Sequence, residues 1–351
     1  VLSLVQIPGG YIADKYGRKE LIVKMTYILA LSNLFYVFAL NYWFPLIGMV
    51  IASLCLIYQP ALMAIAADSS PPEVRGITFA AMDVIPRIPA LASPIVTSLL
   101  IKRYGRMLGL RVSYTLILIC YLVGAIIRHL YLRETLEKPL RIDINELKSV
   151  FKHSIRKLIE VWKILPKSVV FLAILWMISA AIEEPVFRRF ASLYVCEFLG
   201  LSEVKWGIIG SFSTGVGLAS ALLLGKLTDV IGRKKSIILS YMIFIPTIIF
   251  LFLSKSFYLL LIIFSVLTIS GFLYSIAWRT LEADLIPREK RGKVIGSINL
   301  LAYLASIPGS TITGLLYEFD PKMPFIACGV FGFLSLLITL FFIKEPTIKE
   351  V

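Results

Sequence analysis

A ten-residue phrase stands twice in this chain, 215 positions apart, and that repetition constrains the fold more than any other feature. The first copy runs Gly10-Tyr-Ile-Ala-Asp14-Lys-Tyr-Gly17-Arg18-Lys19, the second Gly225-Lys-Leu-Thr-Asp229-Val-Ile-Gly232-Arg233-Lys234. A second phrase, from Ala67-Asp68 through Arg75-Gly76, returns as Ala283-Asp284 through Arg291-Gly292, 216 positions on. Two phrases in the same order at nearly the same offset imply one ancestral helical unit present twice. Each copy lies between apolar stretches, and in a membrane protein such duplication points to halves that rock against each other around a central site.

The apolar stretches decide the solvent. Hydrophobic residues form 58% of the chain and the mean hydropathy is +0.85, which places it among polytopic membrane proteins. After a short apolar start at 1–12, candidate spans fall at 21–40, 45–67, 77–101, 112–131, 168–190, 205–227, 237–254, 257–281, 293–316 and 324–343. The expected architecture is all-α, with two pseudo-symmetric six-helix bundles. Residues 1–131 form the first bundle, 132–166 a connector and 167–351 the second.

The formal charge of +14 does not indicate nucleic acid, because the basic residues alternate loop by loop. Of the 36 Lys and Arg residues, 26 fall on the side that carries both repeated loops and the connector, against 7 on the other. That bias places those loops, the connector and the C-terminus in the cytoplasm of a multi-pass cell-membrane protein. Cys55, Cys120, Cys196 and Cys328 lie in or beside apolar runs without metal-type spacing. There is no P-loop sequence, no catalytic constellation and no metal-ligand pattern, so neither an enzyme nor a cofactor is expected.

The connector repeats apolar residues at three-and-four spacing: Leu147, Val150, Phe151, Ile155, Leu158, Ile159, Trp162 and Leu165. Lys148, Lys152, Arg156, Lys157 and Lys163 stand between them. This predicts a basic amphipathic helix linking the bundles along the inner membrane face, with anionic membrane lipid as its partner.

The phrase G-x-x-x-D-x-x-G-R-K, complete in both copies, and A-D-x-x-P-x-x-x-R-G after the fourth and tenth helices resemble the major facilitator superfamily. The resemblance covers essentially the whole chain. It implies a twelve-helix transporter in which Gly10, Asp14, Gly17, Arg18 and Lys19, with Gly225, Asp229, Gly232, Arg233 and Lys234, control conformation. Asp68, Arg75, Asp284 and Arg291 are the matching inner-face charges of the second phrase. Residue chemistry adds that Gly10 and Gly225 permit close helix approach. Gly17 and Gly232 permit a tight turn, and each Asp can meet a helix N-terminus or the basic residues that follow it. Against the family's repeat, about 48 residues are missing at the start, comprising the first helix and half the second. The chain is therefore read as truncated, and as a monomer when complete.

Charged residues at membrane depth are functional candidates because they are costly there unless paired or wet. The first group is Glu183 and Glu184, followed by Pro185, Arg188 and Arg189. Glu184 and Arg188 stand four apart in the favourable order and can satisfy each other. Glu183 has no such partner and lies about 22 Å along its helix from Ser168 at ~1.5 Å per residue. A desolvated carboxylate there suits proton acceptance, and Pro185 would loosen the helix beside it. The second group is Asp83 and Arg87, also four apart, among Pro86, Pro89 and Pro94. The second half has Asn299 and Tyr303 at those positions, so the pair is no part of the shared scaffold. Gln6, Gln59, Asn33 and Asn299 can line a cavity or bond between helices, and His129 and His153 are poorly placed for a proton relay.

These readings converge on a secondary active transporter that moves a small-molecule solute by alternating access, coupled to protons, with sodium ion the alternative coupling ion. The rivals are a passive uniporter and a non-transporting sensor or assembly protein on a decayed transporter scaffold. The family's drug-antiporter arginine is absent from the run Met49 to Pro60, and the sugar-porter phrases have only faint echoes at Arg133-Glu-Thr and Lys344-Glu-Pro-Thr. The subfamily is therefore not assigned.

Overall fold

In a computed structural model, residues 12, 17–69, 82, 85, 87–135, 166–286 and 288–344 are described. They form helices joined by short turns, with no strand among them. The chain divides into two compact units, Val1–Lys157 and Leu158–Val351.

The first unit contains α1 (Arg18–Val37), α2 (Trp43–Ala66), α3 (Arg87–Tyr104) and α4 (Arg106–Tyr131). The second contains α5 (Lys167–Phe198), α6 (Glu203–Ile231), α7 (Arg233–Phe252), α8 (Phe257–Leu285), α9 (Arg288–Phe319) and α10 (Met323–Phe342). Nine helices among the described residues are long and apolar enough to cross a membrane. The duplication is visible in the helix starts: α1 and α7 begin at Arg18 and Arg233, and α2 and α8 at Trp43 and Phe257.

Glycines set the first of these starts. Gly17 (φ +102°) immediately precedes α1, and Gly232 (φ +95°) alone separates α6 from α7. An L side chain is strained there, so the two glycines of the repeated phrase are turn residues, as expected. Gly225 is different. A Cβ added there would meet nothing within 4 Å among the described residues, so the expected close helix approach is not found at this position. It occurs instead at Gly217, where a Cβ would stand 2.7 Å from Thr268, and at Gly309, where it would run into the Ala181 carbonyl.

Within the first unit, α1 packs on α4 and α2, and α3 on α4. Leu21, Ile22, Leu29, Cys55, Tyr58, Ala61 and Ile65 form the core between α1 and α2. In the second unit α8 packs against both α6 and α7, α7 against α10, and the middle of α5 against α9. One core there gathers Tyr194, Ile209, Ile248, Leu260, Phe264, Phe325 and Cys328. Another gathers Leu172, Leu175, Ile237, Tyr241, Trp278 and Leu281. Large apolar residues also face outward: Leu222, Val230 and Phe319 are more than 80% exposed. A surface of that kind suits lipid as its solvent, because apolar side chains carry no cost of hydration there.

Gly10, Asp14, Arg75, Asp83, Gln6 and the connector helix lie outside the described residues, as do the side chains of Arg87 and Arg291.

Candidate functional site

The middle of α5 is irregular for a reason written in its sequence. Pro185 has no N–H to donate, and its ring crowds the carbonyl four residues back, that of Ala181. The helix absorbs this in two π turns, Ser179–Glu183 and Val186–Phe190, on either side of Glu184 and Pro185. Such turns shift side-chain directions locally and recur at functional sites. Opposite them Gly309 of α9 brings its backbone against Ala181, which a larger residue would prevent.

The π turns deliver Glu183 into a cavity of about 520 Å³ within the second unit. α5 supplies Trp176, Ser179, Glu183, Glu184, Phe187 and Arg188; α6 supplies Trp206, Ser213 and Thr214. From α7 come Ser240, Tyr241 and Phe244, and from α8 Phe264, Thr268, Ser270 and Tyr274.

The two neighbouring glutamates have different environments. Glu184 Oε1 accepts a 2.7 Å bond from Arg188 Nη1, with both side chains substantially exposed. Glu183 is partly buried, Ser179 approaches its carboxylate from one turn earlier, and Oε1 is enclosed without a hydrogen-bond partner among the described residues. Tyr241 of α7, Tyr274 of α8 and Cys328 of α10 stand close enough to feel its charge. The hydroxyls of Tyr241, Tyr274 and Ser335 are likewise buried and adjoin one another as a small polar group. A buried polar atom left unpaired costs about 1–3 kcal/mol, so the enclosed Glu183 Oε1 is a place for a proton or a ligand to bind.

The aromatic residues are locked against each other. Trp176 stacks on Trp278 at 5.6 Å, and its Nε1 donates to Asn299 Oδ1 of α9 at 3.2 Å. Asn299 thus makes the interhelical bond that was one of its two expected roles. Tyr274 lies 5.9 Å from Trp278 and 5.5 Å from Tyr241, and Phe187 meets Phe244 edge-on at 5.9 Å. Asn33, by contrast, bonds within its own helix, donating to the Leu29 carbonyl at 2.9 Å.

The repeated loops form a second arrangement, made twice. In the first unit Arg18 pairs with Asp68 and also donates to Thr135 Oγ1 at 2.9 Å, while the Lys19 amide donates to Glu134. In the second unit Arg233 Nε lies 3.1 Å from Asp284 Oδ2, its Nη2 lies 3.5 Å from Asp229, and Lys234 Nζ donates to the Leu340 carbonyl. The arginine of one repeated phrase thus holds the aspartate of the other within its own unit. That cross-link was missed in the sequence, where each Asp was matched only to helix ends and to the basic residues following it. The common offset of the two phrases is the signal that they belong to one device.

Of the expected membrane-depth residues, the structure brings Glu183, Glu184 and Arg188 to one cavity. The aromatic walls and the Tyr241–Tyr274–Ser335 group were not anticipated.

The chain matches the profile of the Major Facilitator Superfamily over residues 1–310 and again over 190–351. It is 23% identical over 354 residues to a Na(+), Li(+), K(+)/H(+) antiporter of Planococcus maritimus, covering 93% of this chain and 81% of the relative. It is also 29% identical over 120 residues to an uncharacterised MFS-type transporter of Methanocaldococcus jannaschii, covering 33% of this chain and 29% of that protein. Among solved structures, a peptide transporter POT in complex with sulfate superposes with a TM-score of 0.70 at 15% identity, over 96% of this chain and 82% of that one. A POT family transporter in complex with 5-aminolevulinic acid superposes at 0.68 and 14% identity, over 97% and 84%. The nine apolar helices, the two intact copies of the loop phrase and the profile match agree: the chain belongs to the Major Facilitator Superfamily, as a multi-pass membrane transporter.

Proposed function

We propose that this transporter exchanges protons for a cationic solute by alternating access, with Glu183 holding one or the other in turn. The observation that carries the reading is the enclosed Glu183 Oε1, unpartnered among the described residues in a 520 Å³ cavity whose other carboxylate is already paired. A carboxylate with no fixed counter-ion is neutralised either by a proton or by a bound cation. Mutual exclusion at one group couples the two fluxes, because each state of the protein leaves with only one of them. The similarity to an antiporter of monovalent cations and protons supports the same exchange.

The repeated ion pairs supply conformational control in this reading. Arg18–Asp68 and Arg233–Asp284 tie the start of α1 and of α7 to the end of α2 and of α8. The excess of Lys and Arg on that side supports a cytoplasmic location for these ends, for the connector and for the C-terminus, in a cell membrane. Asp83 and Arg87 remain candidates for a complementary role in the first unit.

The test uses the full chain in proteoliposomes with a trapped pH dye. A solute gradient should drive an opposite proton flux that Glu183→Gln abolishes while the protein still folds and inserts. Coupled proton flux at the wild-type rate in that variant contradicts the assignment.

A further inference from the structure

The cavity takes its net charge from one side chain and its walls from aromatic rings. Of its lining residues only Glu183, Glu184 and Arg188 are charged, and Glu184 and Arg188 neutralise each other at 2.7 Å. α6, α7 and α8 contribute no charged side chain to the lining. A single negative charge is therefore left in a cavity whose described lining includes seven aromatic residues, among them Trp206, Tyr241, Phe244 and Phe264. Ring faces attract cations, and more strongly where water is excluded.

Size selects among cations. The 520 Å³ volume lies within the ~300–1,000 Å³ typical of sites for small organic ligands. A single alkali ion stripped to protein ligands fills a small part of it. Hard ions also require several oxygen ligands, whereas the lining is mostly apolar. Three of its hydroxyls are oriented by backbone carbonyls rather than grouped as a ligand shell: Thr214 donates to Gly210, Thr268 to Phe264 and Ser270 to Ser240, each within 2.8 Å.

We infer that the solute is an organic ammonium, a protonated or fully alkylated amine whose cationic nitrogen lies against Glu183 and whose apolar body lies against the rings of Trp206, Phe244 and Phe264. The inference rests on the exchange reading of Glu183 given above and narrows the solute it serves. An amine of this class carries a positive charge to balance the carboxylate and enough carbon surface to fill the walls, which neither an alkali ion nor a sugar supplies together.

The experiment measures binding to the purified full chain by quenching of tryptophan fluorescence, Trp176 and Trp206 being in the wall. The probes are 2-phenylethylammonium, tetraethylammonium, the neutral 2-phenylethanol, and sodium or potassium chloride at matched ionic strength. At least one ammonium should bind saturably, with the neutral alcohol at least about 30-fold weaker and the alkali ions unable to compete. Glu183→Gln should lower ammonium affinity at least about 30-fold. Should that variant fold poorly, Phe244→Leu keeps the volume apolar and removes one ring face, and should cost about 3- to 10-fold in ammonium affinity while sparing the alcohol. Equal binding of alcohol and ammonium, displacement by sodium or potassium, no saturable binding of either ammonium, or unchanged affinity in both variants overturns the inference. Ammonium binding without any coupled proton flux would sink the exchange reading and leave this site standing. Proton-coupled flux of sodium or potassium with no ammonium binding would do the reverse.

Discussion

Arg233 Nε lies 3.1 Å from Asp284 Oδ2, and 215 residues earlier Arg18 makes the same ion pair with Asp68. The side chains of Arg233 and Asp284 are only 12% and 20% exposed, whereas Asp68 is 49% exposed. An enclosed carboxylate is screened less by water and contributes more to its pair, while a carboxylate half open to solvent is worth ~0–1 kcal/mol. Asp284→Asn should therefore lower thermal stability more than Asp68→Asn, by about 1–3 kcal/mol against under ~1 kcal/mol. Melting of the detergent-solubilised variants checks this, and equal losses would show that burial does not set the strength of the pair.

Gly309 and Gly225 make a matched comparison. A Cβ at Gly309 meets the Ala181 backbone, which belongs to the π turn that carries Glu183, whereas one at Gly225 meets nothing within 4 Å among the described residues. Overpacking costs typically ~1–3 kcal/mol. Gly309→Ala should reduce both folded yield and transport, and Gly225→Ala should leave folded yield unchanged. Size-exclusion profiles with uptake assays on both variants decide it.

Much of this architecture was legible because its causes are local. Hydropathy placed the spans, and the repeated glycines placed the turns that open α1 and α7, since a positive φ demands glycine. Glu183 and the Glu184–Arg188 pair stood out because charge in an apolar run is expensive. What was hidden depended on helices meeting in three dimensions. Trp206, Tyr241 and Tyr274 lie in apolar runs where an aromatic residue carries no positional signal, and only the packing of α5 to α8 brings them around Glu183. Helix packing at Gly225 was not legible for the same reason, since a small residue on a helix does not say which neighbour passes it.

The two adjacent glutamates should respond unequally. The Glu184–Arg188 pair is exposed and four residues apart on one helix, an arrangement worth ~0.3–0.5 kcal/mol. Glu184→Gln alone would free Arg188 as a counter-ion for Glu183, so the charge-matched double variant Glu184→Gln with Arg188→Gln should retain transport within about threefold of wild type, an effect under about 1 kcal/mol. Glu183→Gln should lose coupled flux altogether. A loss of coupling in the double variant with none in Glu183→Gln would transfer the proposed role to the paired residue.

Solute binding should also depend on pH with a definite sign. Once protonated, Glu183 has no charge to pair with a cation, so affinity should fall as pH falls and binding should release protons. Tyr241, Tyr274 and Cys328 face it from α7, α8 and α10, and Glu184 and Arg188 share its helix. The phenols and the thiol are neutral near pH 7 by their ordinary values. Calorimetry in buffers of different ionisation enthalpy counts the protons released. Affinity that does not fall on acidification, and binding that releases no proton at any pH where the wild type stays folded, would contradict competition at this carboxylate.

The central claim is that one carboxylate, Glu183, couples proton movement to solute movement. Its most direct test is solute-driven proton flux across proteoliposomes holding either the wild-type chain or Glu183→Gln, each verified as folded and inserted. The account predicts proton flux opposite to the solute gradient in the wild type and none above empty liposomes in the variant. Equal flux from both proteins would contradict it.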